Sequence, residues 1–360
     1  MNKRILAAMM AATMMLSMTA CGGSKEETAP AGENTEAAAE GNAELGGKVM
    51  IYTSMYEDVI DVIDAELEEA FPNIDVEFFY GGTGQIQSKV AAEMESGKLG
   101  CDMLMVAEPA YSLELKEKGV LHAYVSPEAG NLRFDYDAEG YWYPVRVSNM
   151  VLAYNPEKVS KDAIPNSFED FAKNAAVQGK ISMGNPLTSG TSMASIVGLL
   201  DLYGEEYFEA LGNQNVAVES GSVALTKLET GECDVIMILE ESVLKKREEE
   251  GSMLEVIYPT DGTLCIPSTI VTVNDEWNAN QNTAACQAIT DWFLSEEGQN
   301  HIVSAWMHST RNDFARNPYD AIPTTEIMAN SIAIDWNKCY QERDAIRTLF
   351  QEHVTIPESK

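Results

Sequence analysis

KVMIYTSMYEDVIDVIDAELEEAFPNIDVEFFYGGTGQIQSKVAAEMESGKLGCDMLMVA, residues 48–107, decides the fold. Residues 49–53, 74–79 and 101–107 are short apolar runs of strand type. The stretches between them, 56–71 and 83–96, carry apolar residues at helical spacing. Strands alternating with amphipathic helices are βαβ units. Their right-handed crossovers build a parallel sheet with helices on both faces, and ligands bind at the carboxyl ends of its strands.

Working outward, the same alternation returns over 180–258, with strands expected near Ile181 and Val216 and over 235–239 and 254–258. Two extended stretches, 143–154 and 264–273, flank this second series and are the natural crossings between two lobes. Helices follow over 284–294, 296–307 and roughly 324–350, and are expected to pack back on the first lobe. No repeat at solenoid spacing occurs. The expected fold class is α/β in two lobes, each a mainly parallel sheet flanked by helices. Its boundaries are 48–153 for the first part of lobe 1, 154–264 for lobe 2, and 265–360 for the rest of lobe 1 with the C-terminal helices.

Upstream, Leu16-Ser17-Met18-Thr19-Ala20-Cys21-Gly22 follows a basic start at Lys3 and Arg4 and an apolar run over 5–19 that is short for a spanning helix. This reads as a bacterial lipoprotein signal over 1–20, with Cys21 as the lipid-carrying first residue. Everything after Cys21 is then extracytoplasmic, anchored to the outer face of the cell membrane. Residues 21–47 are rich in Ala, Glu, Gly, Ser, Thr and Asn and too poor in apolar side chains to offset the entropy of ordering. They form a flexible tether.

The chain carries 24 basic and 57 acidic residues, a formal charge of −33, and cleavage before Cys21 would remove Lys3 and Arg4 as well. Such a surface repels phosphate backbones and anionic headgroups, so nucleic acid is excluded as a partner and membrane attachment must come from the lipid. Cys101, Cys233, Cys265, Cys286 and Cys339 are odd in number, widely spaced and without a CxxC pair. They are neither a disulfide framework nor a zinc site, and mostly free thiols are expected, one disulfide remaining open.

Several landmarks in this order carry a resemblance. They are Tyr52-Thr53-Ser54 ending the first strand, Gly81-Gly82-Thr83-Gly84 before a helix, Gly179-Lys180-Ile181, and Asn185-Pro186 before a Ser/Thr-rich helix start. Further on come Gly231-Glu232-Cys233-Asp234-Val235, Tyr258-Pro259-Thr260-Asp261-Gly262 and Ser295-Glu296-Glu297-Gly298-Gln299. Over about residues 48–320 the chain resembles the substrate-binding proteins of ABC importers, in the type II periplasmic-binding-protein group that includes ferric-ion, 2-aminoethylphosphonate, thiamine and sugar-phosphate binders. The resemblance implies an interlobe cleft that closes on a small ligand and presents the closed form to a membrane permease. A monomer is expected, with no cofactor, no resident metal and no enzymatic activity.

The residues themselves suggest an anion site. Thr188, Ser189, Gly190 and Thr191 start an apolar helix, gathering hydroxyls and free amides at the positive end of its dipole. Thr83, Gly84 and Gln85 form a second such terminus on the opposite lobe, and Ser54 adds a hydroxyl at a strand end. Ordinary N-capping alone would also select Ser and Thr there. Arg146, on the first crossing, and Arg311, in Ser309-Thr310-Arg311, could grip a phosphate bidentately. Glu240 and Glu241 follow the strand 235–239, where ferric binders of the group tend to carry adjacent tyrosines. They could pair with a ligand's ammonium group or merely complement a helix dipole. A phosphonate or phosphate ester is the preferred ligand and ferric ion the alternative.

Gly190-Thr191-Ser192-Met193-Ala194-Ser195 also resembles the nucleophile motif of subtilisin-like proteases. The likeness is local. Only His122 precedes Ser192, and no His-Gly-Thr-His run surrounds it, so a serine hydrolase lacks its base. His301 and His308 lie seven apart and are only a weak metal hint.

Overall fold

The computed structural model describes residues 45–356. The expected signal peptide over 1–20, Cys21 and the expected tether as far as residue 44 lie outside the described residues.

Lobe 1 opens with β1 (Gly47–Thr53), α1 (Glu57–Ala70), β2 (Ile74–Tyr80), α2 (Thr83–Ser96), β3 (Met103–Ala107) and α3 (Pro109–Glu117). In α1, Val59, Ile63 and Leu67 share one face and are buried, each side chain contributing about 1.5–3 kcal/mol. Pro72 bars α1 from continuing, because the residue before a proline is pushed out of helical geometry. β3 is buried at all five positions, as a central strand covered on both faces must be.

β4 (Tyr143–Tyr154) crosses to lobe 2, which contains α4 (Phe168–Lys173), β5 (Ile181–Gly184), α5 (Gly190–Tyr203), α6 (Glu206–Asn213), β6 (Ala217–Glu219), α7 (Gly221–Thr230), β7 (Val235–Leu239), α8 (Glu240–Glu250) and β8 (Glu255–Ile257). β9 (Leu264–Thr272) returns. It is followed by α9 (Thr283–Leu294), α10 (Glu296–Ser304), α11 (Thr324–Ala329), α12 (Trp336–Gln341) and α13 (Arg343–His353).

One continuous sheet runs in the order β2-β1-β3-β9-β4-β7-β5-β6, with β8 beside β4. Within each lobe the neighbours β2-β1-β3 and β7-β5-β6 are parallel. The two crossings are antiparallel to their neighbours and to each other, from Tyr143 opposite Ile270 to Met150 opposite Leu264. All twelve positions of β4 are buried, which makes the hinge part of the core rather than a surface linker. The α/β two-lobe expectation therefore holds. Each lobe has a core on both sheet faces: in lobe 1, α1, α9 and α10 cover one face and α2 and α3 the other, while in lobe 2, α4, α5 and α6 oppose α7 and α8.

The C-terminal part departs from expectation. Residues 324–350 are three short helices rather than one, interrupted where Ser331 bridges to Thr263. They do not fold back on the first lobe alone. Cys339, Ile346 and Phe350 join the lobe 2 core, and Phe350 meets Phe208 edge-on with ring centroids 5.1 Å apart. Apolar side chains at helical spacing mark the buried face but not which lobe covers it. The same arm reaches lobe 1 by polar contacts, Arg343 to Glu114 at 2.7 Å and Tyr340 to Glu117 at 2.9 Å. All five cysteines of the described residues are free.

Glu108 sits at this junction, buried, with a left-handed φ of 74°. Burial pushes its carboxyl up from 4.5 to about 7, against the pull of Arg343. The folded chain thus keeps a proton that the unfolded chain loses, and the stabilisation is complete below pH 4.5 and lost as pH climbs through 7. E108Q is expected to remove a stability change of about 3 kcal/mol over that window. Urea unfolding at several pH values checks this; an unaltered slope would show that Glu108 does not carry it.

Candidate functional site

Four helices of lobes 1 and 2 follow a strand's carboxyl end and converge on one cavity. α2 follows β2 through Gly81-Gly82, α5 follows β5, α7 follows β6, and α8 follows β7 without a gap. The cavity is about 250 Å³ and lies between the lobes.

Nine of the expected contacts line it: Ser54, Thr83 and Gln85 from lobe 1, Arg146 from the crossing, and Thr188, Ser189, Gly190, Thr191 and Glu241 from lobe 2. The two glycine-bearing termini touch. A Cβ on Gly190 would come within 2.9 Å of the Thr83 hydroxyl and 3.0 Å of the Ala107 carbonyl, so only glycine lets α5 approach this closely. Gly84 donates its N–H to the Thr188 carbonyl at 3.1 Å. It serves the contact between lobes and does not line the cavity, because that amide is already occupied.

The donors are set by local geometry. Ser189 caps α5, its hydroxyl accepting the Ser192 N–H at 3.2 Å and lying 3.0 Å from the Thr191 hydroxyl. The first amides of a helix lack intrahelical acceptors. Those of Thr83, Gly190 and Thr191 have no acceptor among the described residues. The Ser54 hydroxyl accepts the Ala107 N–H at 3.1 Å, which leaves its own proton to give. On β4 the alternate residues Arg146, Ser148 and Met150 face the cavity. Arg146 is only 6% exposed, and no carboxylate of the described residues lies within ion-pair distance of it. Burial lowers its pKa against the field of Glu241, and burial raises that of Glu241, whose carboxylate accepts the Ser148 hydroxyl at 2.8 Å.

Glu240 and Arg311 point elsewhere. Glu240 accepts from Asn149 at 2.9 Å and meets His308 at 2.8 Å in buried surroundings, and accepts the hydroxyl of the half-buried Tyr258. One step along a helix turns a side chain by about 100°, so adjacent glutamates at a helix start face different environments. Arg311 is held by Asp313 at 2.8 Å, Glu128 at 2.5 Å and the Leu294 carbonyl, a structural clamp in lobe 1.

Several lining residues escaped the sequence reading: Tyr56, Tyr80, Asn185, Glu219, Ser220 and Gly221. Ser220 caps α7, accepting the Val223 N–H at 3.4 Å. Its Ser-Gly-Ser run after a strand carries the signal already used for Ser189. Glu219 is engaged by Lys227 at 2.5 Å and by the Ser182 hydroxyl. Ser192 has no imidazole beside it: His122 bonds Gln287, His301 stacks on Trp292, His308 meets Glu240 and His353 meets Glu205. No group of three or more His, Cys, Asp or Glu gathers in metal-binding geometry among the described residues. No helix of the described residues is long and apolar enough to cross a membrane.

Over residues 101–341 the sequence matches the family of bacterial extracellular solute-binding proteins. A probable ABC transporter periplasmic-binding protein of Sinorhizobium fredii, y4fP, is 22% identical over 233 residues, which is 62% of this chain and 63% of that protein. The chain thus spans less than two thirds of that curated relative. The periplasmic binding protein AfuA of Actinobacillus pleuropneumoniae, solved with fructose 6-phosphate, superposes with a TM-score of 0.75 at 20% identity, covering 86% of this chain and 99% of that one. Iron-bound HitA of Pseudomonas aeruginosa gives 0.73 at 20% identity, covering 85% and 99%. At such identities the likeness is one of fold.

Proposed function

The chain belongs to the bacterial extracellular solute-binding proteins, and from that premise we propose that it is the receptor of an ABC importer. It captures a small anionic solute, a phosphonate or phosphate ester by preference, and hands it to a membrane permease. Lipid on Cys21 anchors it to the outer face of the membrane, and it works as a monomer.

The observation that carries the ligand class is the convergence of the α2 and α5 N-termini, from opposite lobes, with buried Arg146 on one cavity. Helix N-termini and a guanidinium both favour negative charge. A solute that touches both lobes binds the closed form more tightly and shifts the population toward it. The sugar phosphate in the Actinobacillus protein is a solute of this chemical class.

Calorimetric titration with methylphosphonate, a sugar phosphate and ferric citrate tests the reading. The double variant S189A/T191A is expected to weaken binding of the phosphonate about 10–100-fold: the two hydroxyls lie 3.0 Å apart, one donating to the other, so the pair offers the ligand one hydrogen bond, and a bond to a charged group contributes about 1.5–3 kcal/mol. Lost capping by Ser189 costs about 1 kcal/mol of stability, so the fold survives. Unchanged affinity would remove the site assignment. Colour on ferric addition without phosphonate binding would favour iron as cargo.

A further inference from the structure

We infer that the solute carries an aromatic or apolar body beside its anionic head, and that Trp306 is the platform on which that body rests. The inference depends on the anion reading above and extends it.

The cleft continues past Arg146. A second chamber of about 410 Å³ shares Tyr56, Tyr80, Arg146, Gly221 and Glu241 with the first and runs on toward α1, α7 and the end of α10. Val59, Leu225, Ala305, Trp306 and Met307 add an apolar wall to those of Met150, Met237, Ile238 and Leu239 in the first chamber, beside the charged Glu57, Lys245, Lys246 and Glu250. An anion without an organic body would use only the first chamber and leave that wall against water.

The backbone at Trp306 is the second observation. α10 ends with the Met307 N–H on the Ile302 carbonyl at 3.3 Å and the Trp306 N–H on the Val303 carbonyl at 3.2 Å. This is the Schellman closure, whose left-handed residue is ordinarily glycine. Here it is tryptophan, with φ of 61°. A bulky side chain in that region is strained, and such strain persists where the surroundings hold it for function. Capping alone would select glycine. The tryptophan instead supplies a ring on the ligand cleft, steadied by its indole N–H on Glu248 at 2.6 Å and by the Lys245 ammonium 5.8 Å from the ring centroid. A rigid aromatic face with few rotatable bonds is suited to stacking.

Methylphosphonate and phenylphosphonate share one head and differ only in the body, so their titration into the chain isolates it. The wild-type chain is expected to bind the phenyl compound about tenfold or more tightly, from the burial of one ring. In W306G that ratio is expected to fall to about one, with the melting temperature held or raised, while W306F keeps most of the preference. Equal binding of the two by the wild type, or a ratio that survives W306G, would overturn the role of Trp306 while leaving the anion reading intact. If neither compound binds, the anion reading fails and this inference fails with it.

Discussion

R146Q is expected to lower affinity for a phosphonate by about 10²–10³-fold, a loss of about 3–4 kcal/mol. The guanidinium is buried on the crossing strand, at the meeting of both chambers. Its companions within the cleft are the Met307 sulfur at 2.7 Å and the field of Glu241, whose carboxylate is bound by Ser148. A buried cation is costly without a counter-charge, and under the proposed function the anionic ligand supplies it. Arg311 shows the contrast, because its two carboxylates and a carbonyl already satisfy it. E241Q is the companion variant. Removing the acid beside Arg146 should strengthen anion binding or leave it equal, with the effect read by calorimetry. An R146Q protein that binds within twofold of wild type would show that the guanidinium faces Glu241 for structural reasons alone.

E240A is expected to destabilise the fold by about 3–5 kcal/mol, far more than any single hydroxyl variant of the cavity. Glu240 joins three elements that are remote in sequence: Asn149 on β4, Tyr258 after β8, and His308 after α10. His308 is itself tied to Thr324 at 3.0 Å and through backbone pairing to Val147. Truncation leaves the buried amide of Asn149 and imidazole of His308, and the half-buried phenol of Tyr258, without their shared acceptor, and each buried unsatisfied group carries a desolvation penalty. Urea unfolding measures the loss; E240Q, which keeps one acceptor oxygen, should fall between. A wild-type midpoint for E240A would show that the hub contributes nothing to stability.

The fold was largely legible because its signals are local. The limits of β4 and β7 coincide with the extended stretch 143–154 and the strand-type run 235–239; β7 is apolar along its length, as a strand covered on both faces is, while β4 carries Arg146, Ser148 and Asn149 in its middle. The donors at α2 and α5 were legible for a related reason: a Ser or Thr where a strand passes into a helix marks an N-terminus, and in βαβ units that terminus lies at the sheet's ligand-binding edge. Tyr56 and Tyr80 were not legible, because nothing in an isolated aromatic tells whether its neighbours are core or cleft.

Period and punctuation along the chain were thus enough to specify two α/β lobes, their crossings and the amide-rich turns, because each depends on residues a few positions apart. Assigning roles within like pairs required the folded chain. Glu240 became a structural hub and Glu241 a cleft residue by one helical step, while Arg311 found carboxylates and Arg146 did not. The C-terminal helices chose the second lobe, and a tryptophan came to occupy a glycine's conformation. These outcomes share one cause: the partner that fixes each side chain's charge, burial or strain lies far away in sequence, and only packing brings it near.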